Sequence, residues 1–234
     1  MFKIVDIISG YKFEKRINRY TGLVSKGKTS EKVFIANTGR LVELLTKDAP
    51  VYIKKTDNPK RKTQYDLIAI EFDKIIVCID TRVSNWIFEE HLKGNKLEEL
   101  KGYKVKKREY KIGNSRIDYL LENKKSKCLA ELKLCTLVQD QQMLFPDAVS
   151  KRSAKHLLDL VSATKQGYRT IVYFIGLRGD PNTFRPNKEL DPQFKEAFYR
   201  ALVGGVEIMA LKTKIRLENQ DLLYSDLEDI SVKK

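Results

Sequence analysis

The sequence predicts a small all-β domain at 1–80 followed by an α/β domain at 81–234. Short apolar runs separated by turn residues fill the first part, whereas helix patterns alternate with strands in the second. A chain of 234 residues can form two such domains, each with its own core. There is no apolar stretch of membrane-spanning length and no signal-peptide pattern at the amino terminus. We therefore expect a soluble, cytoplasmic protein without a membrane partner.

Turn sequences such as those at 25–27 and 37–39 divide the first 80 residues into short apolar runs. The runs are Tyr20–Val24, Val33–Ala36, Leu41–Leu45, Val51–Ile53, Tyr65–Ile70 and Ile75–Ile79. This density of short strands indicates a small antiparallel barrel or sandwich. An oligonucleotide-binding (OB) barrel fits the pattern, and an SH3-like barrel would give much the same one.

The second part begins with a helical segment at 84–92, in which Trp86, Ile87 and His91 are expected to face inward. The later elements are predicted as strands at 103–110, 116–122 and 127–134, a long helix, a strand at 170–177, a helix capped by Asp191, and a strand at 206–211. The long helix has an apolar stripe of Ala154, Leu157, Leu158 and Val161. Strand–helix–strand crossovers imply some parallel pairing.

The charge of the chain favours a polyanionic partner. Its formal net charge is +14, from 45 Lys and Arg against 31 Asp and Glu. Positive charge is concentrated at 54–62 and 101–111, where tyrosines interrupt the second run. Such clusters attract nucleic acid, DNA or RNA, although a solvated basic surface would have the same composition. The three cysteines lie in apolar runs without CxxC spacing, which is typical of buried thiols in a reducing compartment.

Three residues on two neighbouring strands could carry chemistry. In strands of period two, Asp118 lies opposite the apolar face of the first strand, and Glu131 and Lys133 do so on the second. If the hairpin pairs in register, two carboxylates and an ammonium meet on one side of the sheet. Carboxylate oxygens suit Mg²⁺ or Mn²⁺, which can activate water for phosphodiester hydrolysis. A cross-strand salt bridge between Lys133 and Asp118 would explain the same pattern.

Longer motifs resemble the sugar fermentation stimulation protein family over nearly the whole chain. They are IANTGRL (35–41), DNPKRK (57–62), IDTRVSNWIFEEHL (79–92), GNSRIDYLL (113–121), AELKLCTLV (130–138) and FPDAVSKRSAKHLLDL (145–160). Two positions depart from the family pattern: Ile35-Ala36 precedes Asn37 where Cys-Pro is usual, and Leu134 stands where serine is frequent. The three residues Asp118, Glu131 and Lys133 are intact.

The resemblance implies an OB-like barrel joined to a PD-(D/E)xK restriction-endonuclease-like domain, in DNA-binding proteins associated with regulating sugar use. Asp118 and Glu131 would then be metal ligands and Lys133 the residue that serves the water. Glu89 or Glu90 could supply a further acid, although an exposed helix face explains both equally well. The residues expected to contact nucleic acid are Arg16, Arg19, Asn37, Arg40, Lys60, Arg61, Lys62, Arg116, Arg152 and His156. Of these, Arg152 and His156 are four residues apart and share a helix face.

Two functions remain open from the sequence. The first is a Mg²⁺-dependent nuclease acting on DNA or structured nucleic acid. The second is a non-catalytic DNA-binding regulator of sugar metabolism that keeps the nuclease fold. No helix-turn-helix pattern supports a sequence-reading repressor. A homodimer is compatible with the sequence but not indicated by it.

Overall fold

The computed structural model describes residues 2–113 and 115–233, which form two compact units. The first unit extends to Trp86 and also contains Leu177–Asp180 and Lys212–Glu228, and the remaining residues form the second. The sequence suggested one boundary near residue 81, whereas the chain returns twice to the first unit. Asn114, part of the GNSRIDYLL motif, lies outside the described residues.

Five of the six strands in the main sheet of the first unit close into a barrel, and the last strand pairs outside the closed ring. The strands of this sheet are β2 (Ile7–Asn18), β3 (Thr21–Lys26), β4 (Thr29–Phe34), β5 (Pro50–Lys55), β6 (Tyr65–Phe72) and β7 (Ile75–Cys78), paired in the order β4-β3-β2-β5-β6-β7. A parallel pairing of β4 with β6 closes the barrel. The long strand β2 pairs with both β3 and β5, and its register shifts next to Gly10, whose φ of +83° allows the strand to bend. A small barrel of this kind is the architecture of OB folds.

Two predictions for this unit were wrong. The run Leu41–Leu45 forms turns, in which the amide of Leu45 donates to the carbonyl of Leu41. Leu41 and Leu44 are buried because their spacing of three residues suits a turn rather than a strand. The strand β2 was missed because lysine, arginine and glutamate interrupt its apolar residues. A smaller sheet of β1 (Phe2–Ile4), β17 (Asp221–Tyr224) and β16 (Ile215–Glu218) completes the unit.

The second unit is built around a six-stranded mixed sheet. Its order is β18 (Glu228–Asp229), β15 (Glu207–Lys212), β13 (Arg169–Gly176), β10 (Lys127–Leu134), β9 (Ser115–Glu122) and β8 (Lys104–Ile112). β8, β9 and β10 form an antiparallel meander, and β10 pairs parallel with β13, as the crossover pattern predicted. A four-stranded sheet, β11 (Leu137–Gln139), β12 (Gln142–Phe145), β14 (Thr183–Pro186) and β19 (Ser231–Val232), was not foreseen.

The helices are α1 (Thr81–Lys93), α2 (Lys151–Lys165) and α3 (Pro192–Val203), with Glu98–Leu100 forming a short 3-10 turn. The predicted cap of α3 is confirmed, since the Asp191 carboxylate accepts from the Phe194 amide at 2.9 Å. No helix within residues 2–113 and 115–233 is long and apolar enough to cross a membrane.

The inward face of α2 differs from the predicted stripe. The helix buries Ser153, His156, Leu157, Leu160 and Ala163, whereas the predicted Leu158 is 37% exposed. The helix is rotated so that His156 faces the sheet. On α1, Ile87 and His91 are buried as expected, but Trp86 is 45% exposed.

Candidate metal and phosphate site

Asp118 on β9 and Glu131 on β10 meet where the ladder between these strands ends. The last paired residues are Tyr119 and Ala130, each of which is adjacent in the chain to one of the two acids. Beyond this pair, hydrogen bonds from main-chain amides to the two carboxylates connect the strands in place of main-chain ladder bonds. The amide of Asp118 donates to Glu131 Oε2 at 3.2 Å, and the amide of Leu132 donates to Asp118 Oδ2 at 2.7 Å. Each carboxylate thus receives a main-chain donor from the opposite strand.

Lys133 and His156 converge on the other oxygen of Glu131. The Lys133 Nζ atom lies 2.6 Å from Glu131 Oε1, and His156 Nδ1 lies 2.6 Å from the same oxygen. Glu131 is 2% and His156 4% exposed, and the Lys133 side chain is 11% exposed. A buried carboxylate needs such partners, because an isolated buried charge is costly.

The pKa values of the two carboxyl groups are shifted in opposite directions. Burial and the neighbouring Glu131 charge raise the pKa of Asp118 to about 7. Burial opposes ionisation of Glu131 as well, but Lys133 and His156 outweigh it and lower its pKa to about 2. Lys133 also favours the ionised form of Asp118, but burial and the Glu131 charge outweigh it, so the Asp118 carboxylate is the less compensated group of the pair.

His156 connects this pair to an open cleft. The Arg152 Nε atom donates to His156 Nε2 at 3.4 Å, on the opposite side of the ring from the Nδ1 contact with Glu131. The cleft has a volume of about 570 Å³ and is lined by Glu109, Lys111, Ser115, Arg116, Lys151, Arg152, Lys155 and His156. Its five lysines and arginines face a single lining carboxylate, which makes it suitable for a phosphate group.

Part of the cleft was not predicted. Lys155 Nζ donates to Ser115 Oγ at 2.6 Å and to Asp159 Oδ2 at 2.5 Å, and Ser115 also bonds Asp159. Lys151 and Lys155 are spaced four residues apart on α2, and this helical spacing is the sequence signal that could have identified them. Arg116 lies at the cleft with its side chain 66% exposed, 3.8 Å from Glu109 Oε2.

The structure does not bring Glu89 or Glu90 to the acidic pair. Glu89 forms a paired contact with Arg108 at 2.6 and 2.5 Å and accepts from the Tyr119 hydroxyl at 3.1 Å. Side chains alternate along a strand, so Tyr119 and its partner Glu89 lie on the sheet face opposite Asp118. The bond from Arg108 lowers the pKa of Glu89. Glu90 is exposed and pairs with Lys93.

The donor set of the pair fits a hard divalent cation with few protein ligands. In the described ranges 2–113 and 115–233, no group of three or more His, Cys, Asp or Glu is arranged to hold a metal ion. Mg²⁺ is usually held by one or two carboxylates, with water and substrate phosphates completing its shell. Asp118 and Glu131 match that smaller requirement.

The predicted contact residues of the barrel fall into two groups. The first group is engaged within the fold. Arg16 donates to the carbonyls of Gly39 at 2.6 Å and Asn37 at 2.7 Å. The Asn37 side-chain amide donates to the Ile79 carbonyl. Arg61 forms an ion pair with Asp66 at 2.6 Å. The exposed group consists of Arg19, Arg40, Lys60 and Lys62.

The fold defines a protein that joins an OB barrel to a restriction-endonuclease-like α/β unit. Residues 15–79 match the SfsA N-terminal OB domain, and residues 82–219 match the Sugar fermentation stimulation protein RE domain. The chain therefore belongs to the sugar fermentation stimulation protein family, and the predictions of family and fold class are confirmed.

Relatives cover both units. A sugar fermentation stimulation protein homolog of Alkaliphilus metalliredigens is 39% identical over 85% of this chain and 86% of its own length. One from Methanobrevibacter smithii is 35% identical over 98% of this chain and all of its own. The structure of Pyrococcus furiosus SfsA in complex with Ca²⁺ is 32% identical, with a TM-score of 0.92 over 100% of this chain and 98% of that one.

Proposed function

We propose that this protein is a divalent-metal-dependent nuclease in which Asp118 and Glu131 hold Mg²⁺ or Mn²⁺. The observation that carries the proposal is the meeting of two carboxylates at the end of the β9–β10 ladder, with Lys133 Nζ 2.6 Å from Glu131. The raised pKa of Asp118 supports it, because a cation there would stabilise the ionised form. When bound, the cation would polarise a phosphoryl oxygen and make water more acidic. The Ca²⁺ in the Pyrococcus furiosus SfsA structure supports a divalent ion in this family.

The side chains around Glu131 have separate roles in this proposal. Lys133 would donate a hydrogen bond to the attacking water and hold it in line with the phosphorus atom. His156 is a positioning residue, since its Nδ1 group fixes the Glu131 carboxylate. Arg152 would bind a substrate phosphate from the rim of the cleft.

The cleft cations suit the backbone of a nucleic acid. Lys111, Arg116 and Lys151 are exposed at its lining, and the chain as a whole has a net charge of +14. Contacts to phosphates bind without reading sequence, so we propose DNA or RNA as the substrate class without base specificity.

A second function is favoured by one specific observation. Glu131 Oε1 has both Lys133 and His156 within 2.6 Å, so this oxygen is satisfied without a metal. A non-catalytic DNA-binding regulator of sugar metabolism would keep such a network for stability while the cleft binds DNA.

Cleavage and binding measured in the same samples distinguish the two functions. Labelled single-stranded and duplex DNA and RNA are incubated with Mg²⁺, Mn²⁺ or chelator, using wild type, Asp118→Asn, Glu131→Gln and Lys133→Ala. The exposed Lys127, on the same strand as Lys133, provides the matched control Lys127→Ala. We expect cleavage only with metal, reduced by about 100-fold or more in the three site variants while binding persists. Wild type that binds in a salt-dependent manner but cuts nothing with either metal would support the regulator instead.

A further inference from the structure

Two large aromatic side chains of the first unit are unusually exposed. Tyr20, in the turn between β2 and β3, is 47% exposed, and Trp86 on α1 is 45% exposed. Phe34, at the end of β4, is partly buried, and its ring stacks on Tyr20 with centroids 6.3 Å apart and planes inclined by 14°.

Two arginines continue the row of planar groups. The Arg82 guanidinium lies 5.9 Å from the ring centre of Phe34 and 5.9 Å from that of Trp86. The Arg61 guanidinium lies 4.7 Å from the Phe34 ring. We define the aromatic ledge as Tyr20, Phe34, Arg61, Arg82 and Trp86.

The arginines of the ledge contribute flat surfaces more than net charge. Arg61 and Arg82 share the Asp66 carboxylate at 2.6 and 2.7 Å, and Arg82 also pairs with Asp80 at 2.5 Å. These two arginines and two aspartates sum to zero charge. They hold the guanidinium planes in fixed positions beside Phe34.

Positive charge at the ledge comes from its exposed flanks. Arg19 lies 5.8 Å from the Tyr20 ring. Arg16 donates to the carbonyls of Arg19 and Gly39, which ties the turn carrying Tyr20 to the turn carrying Arg40. Lys60 and Lys62 flank Arg61 in the β5–β6 loop and are exposed.

We propose that the aromatic ledge binds unpaired bases of single-stranded nucleic acid, while the flanking cations contact its phosphates. Tyr20 and Trp86 offer ring faces on which bases stack, an interaction that tolerates any base. A duplex hides its base faces, so it cannot use these rings. Three ledge residues lie where OB barrels bind oligonucleotides: Tyr20 in the loop between the first two barrel strands, Phe34 at the end of the third, and Arg61 in the loop between the fourth and fifth. Arg82 and Trp86 are added by helix α1. This inference rests on the proposed function for its substrate class, but concerns a site remote in sequence from Asp118 and Glu131.

The test uses the full chain with chelator, so that no cleavage occurs. Fluorescence anisotropy measures the Kd of labelled oligo(dT) and oligo(U) of about 15 nucleotides and of a duplex of similar length. The variants are Tyr20→Ala and Trp86→Ala, each matched by Tyr20→Phe and Trp86→Phe, which keep a ring. Tyr199→Ala is the control, since Tyr199 has Lys195 at 5.8 Å from its ring and belongs to the second unit.

We expect each alanine variant to raise the Kd for single strands about 5-fold or more, with an unchanged salt slope. The phenylalanine variants and Tyr199→Ala should bind like wild type, and duplex binding should be the same in all. A comparison of oligo(dT) with oligo(U) shows whether DNA or RNA is preferred. If Tyr20→Ala and Trp86→Ala bind single strands as tightly as wild type, or if Tyr20→Phe and Trp86→Phe lose as much as the alanines, the inference is overturned.

Loss of single-strand binding at the aromatic ledge and loss of cleavage are measured separately, so the two proposals can fail independently. If wild type cuts nothing but the alanine variants still lose single-strand binding, the ledge stands and the nuclease proposal falls.

Discussion

Glu131 Oε1 and His156 Nδ1 lie 2.6 Å apart, although 25 residues separate them in the chain. The contact joins the central strand β10 to helix α2 and explains why α2 turns a histidine inward. His156→Ala would leave a 2%-exposed carboxylate short of a donor. We expect a loss of about 1–3 kcal/mol in the free energy of unfolding, measured by urea denaturation at neutral pH.

His156→Ala should also change how the free energy of unfolding falls at acid pH. The pKa of Glu131 is lowered to about 2, so its contribution is present above the unfolded value and lost as pH falls through about 2. Without His156 this loss should begin at a higher pH. His156→Gln, whose side-chain amide can donate to Glu131, should recover part of both effects. Lys151→Ala, an exposed change on the same helix, should cost less than about 0.5 kcal/mol. Equal stability of wild type and His156→Ala would contradict the assigned role.

Asp118 should make the protein less stable as pH rises. Its pKa is raised to about 7, so the folded state binds the proton more tightly than the unfolded state does. The stabilisation is complete below the unfolded pKa and is lost as pH rises through about 7. In chelator, the stability advantage of Asp118→Asn over wild type should therefore shrink by about 1–3 kcal/mol between about pH 8 and about pH 5.

Urea titrations of both proteins across this range check the slope, with exposed Asp57→Asn as control. Added Mg²⁺ at the upper pH should stabilise wild type and leave Asp118→Asn unchanged, because a ligand stabilises only the state that binds it. If the stability of wild type and of Asp118→Asn changes with pH in the same way, Asp118 does not have the raised pKa assigned to it.

Local patterns predicted the acidic pair because its geometry is local. Asp118, Glu131 and Lys133 lie on a hairpin, where period two and a short turn determine which side chains meet. The structure has the register that this pattern requires. A small barrel was predictable for the same reason, since its strands mostly pair with neighbours in sequence, but the pattern did not separate an OB barrel from an SH3-like one; the OB assignment came from the family resemblance.

Contacts between distant segments could not be read from the sequence. The stripe on α2 was misplaced because counting apolar residues treats His156 as polar, whereas Glu131 makes its burial favourable. Glu89 was a reasonable acid by motif, but the helix rotates it toward Arg108 and Tyr119. The return of 177–180 to the first unit depends on tertiary contacts, such as Arg178 beside Phe72.

Asp66 should stabilise the barrel through the two arginines that it joins. Its side chain is only 12% exposed; Arg82 donates to Oδ2 at 2.7 Å, and Arg61 forms an ion pair with Oδ1 at 2.6 Å. Asp66→Ala would leave both guanidinium groups without this partner, so we expect a loss of about 1–3 kcal/mol by urea unfolding. Asp57→Ala, an exposed change in the neighbouring loop, should stay within about 0.5 kcal/mol. A result for Asp66→Ala as small as that of the control would show that the ion pairs add no stability.

The cleft should be recognisable by the salt dependence of nucleic-acid binding. Each lysine or arginine that contacts a phosphate releases counterions, so removing one should lower the slope of log Kd against log salt by about 0.7–0.9. Lys111→Ala and Lys151→Ala each remove an exposed cation of the cleft, and the double variant should lower the slope by about twice as much. Lys165→Ala, an exposed change at the last residue of the helix that Lys151 begins, is the matched control.

Anisotropy titrations in chelator at several salt concentrations give these slopes. Because the lysines act on phosphates, duplex and single strand should both weaken, whereas changes at Tyr20 and Trp86 should affect single strands alone. Slopes for the cleft variants equal to that of Lys165→Ala would mean that nucleic acid does not enter the cleft. The acidic pair would then lack a route to a phosphodiester, and the nuclease proposal would lose its substrate.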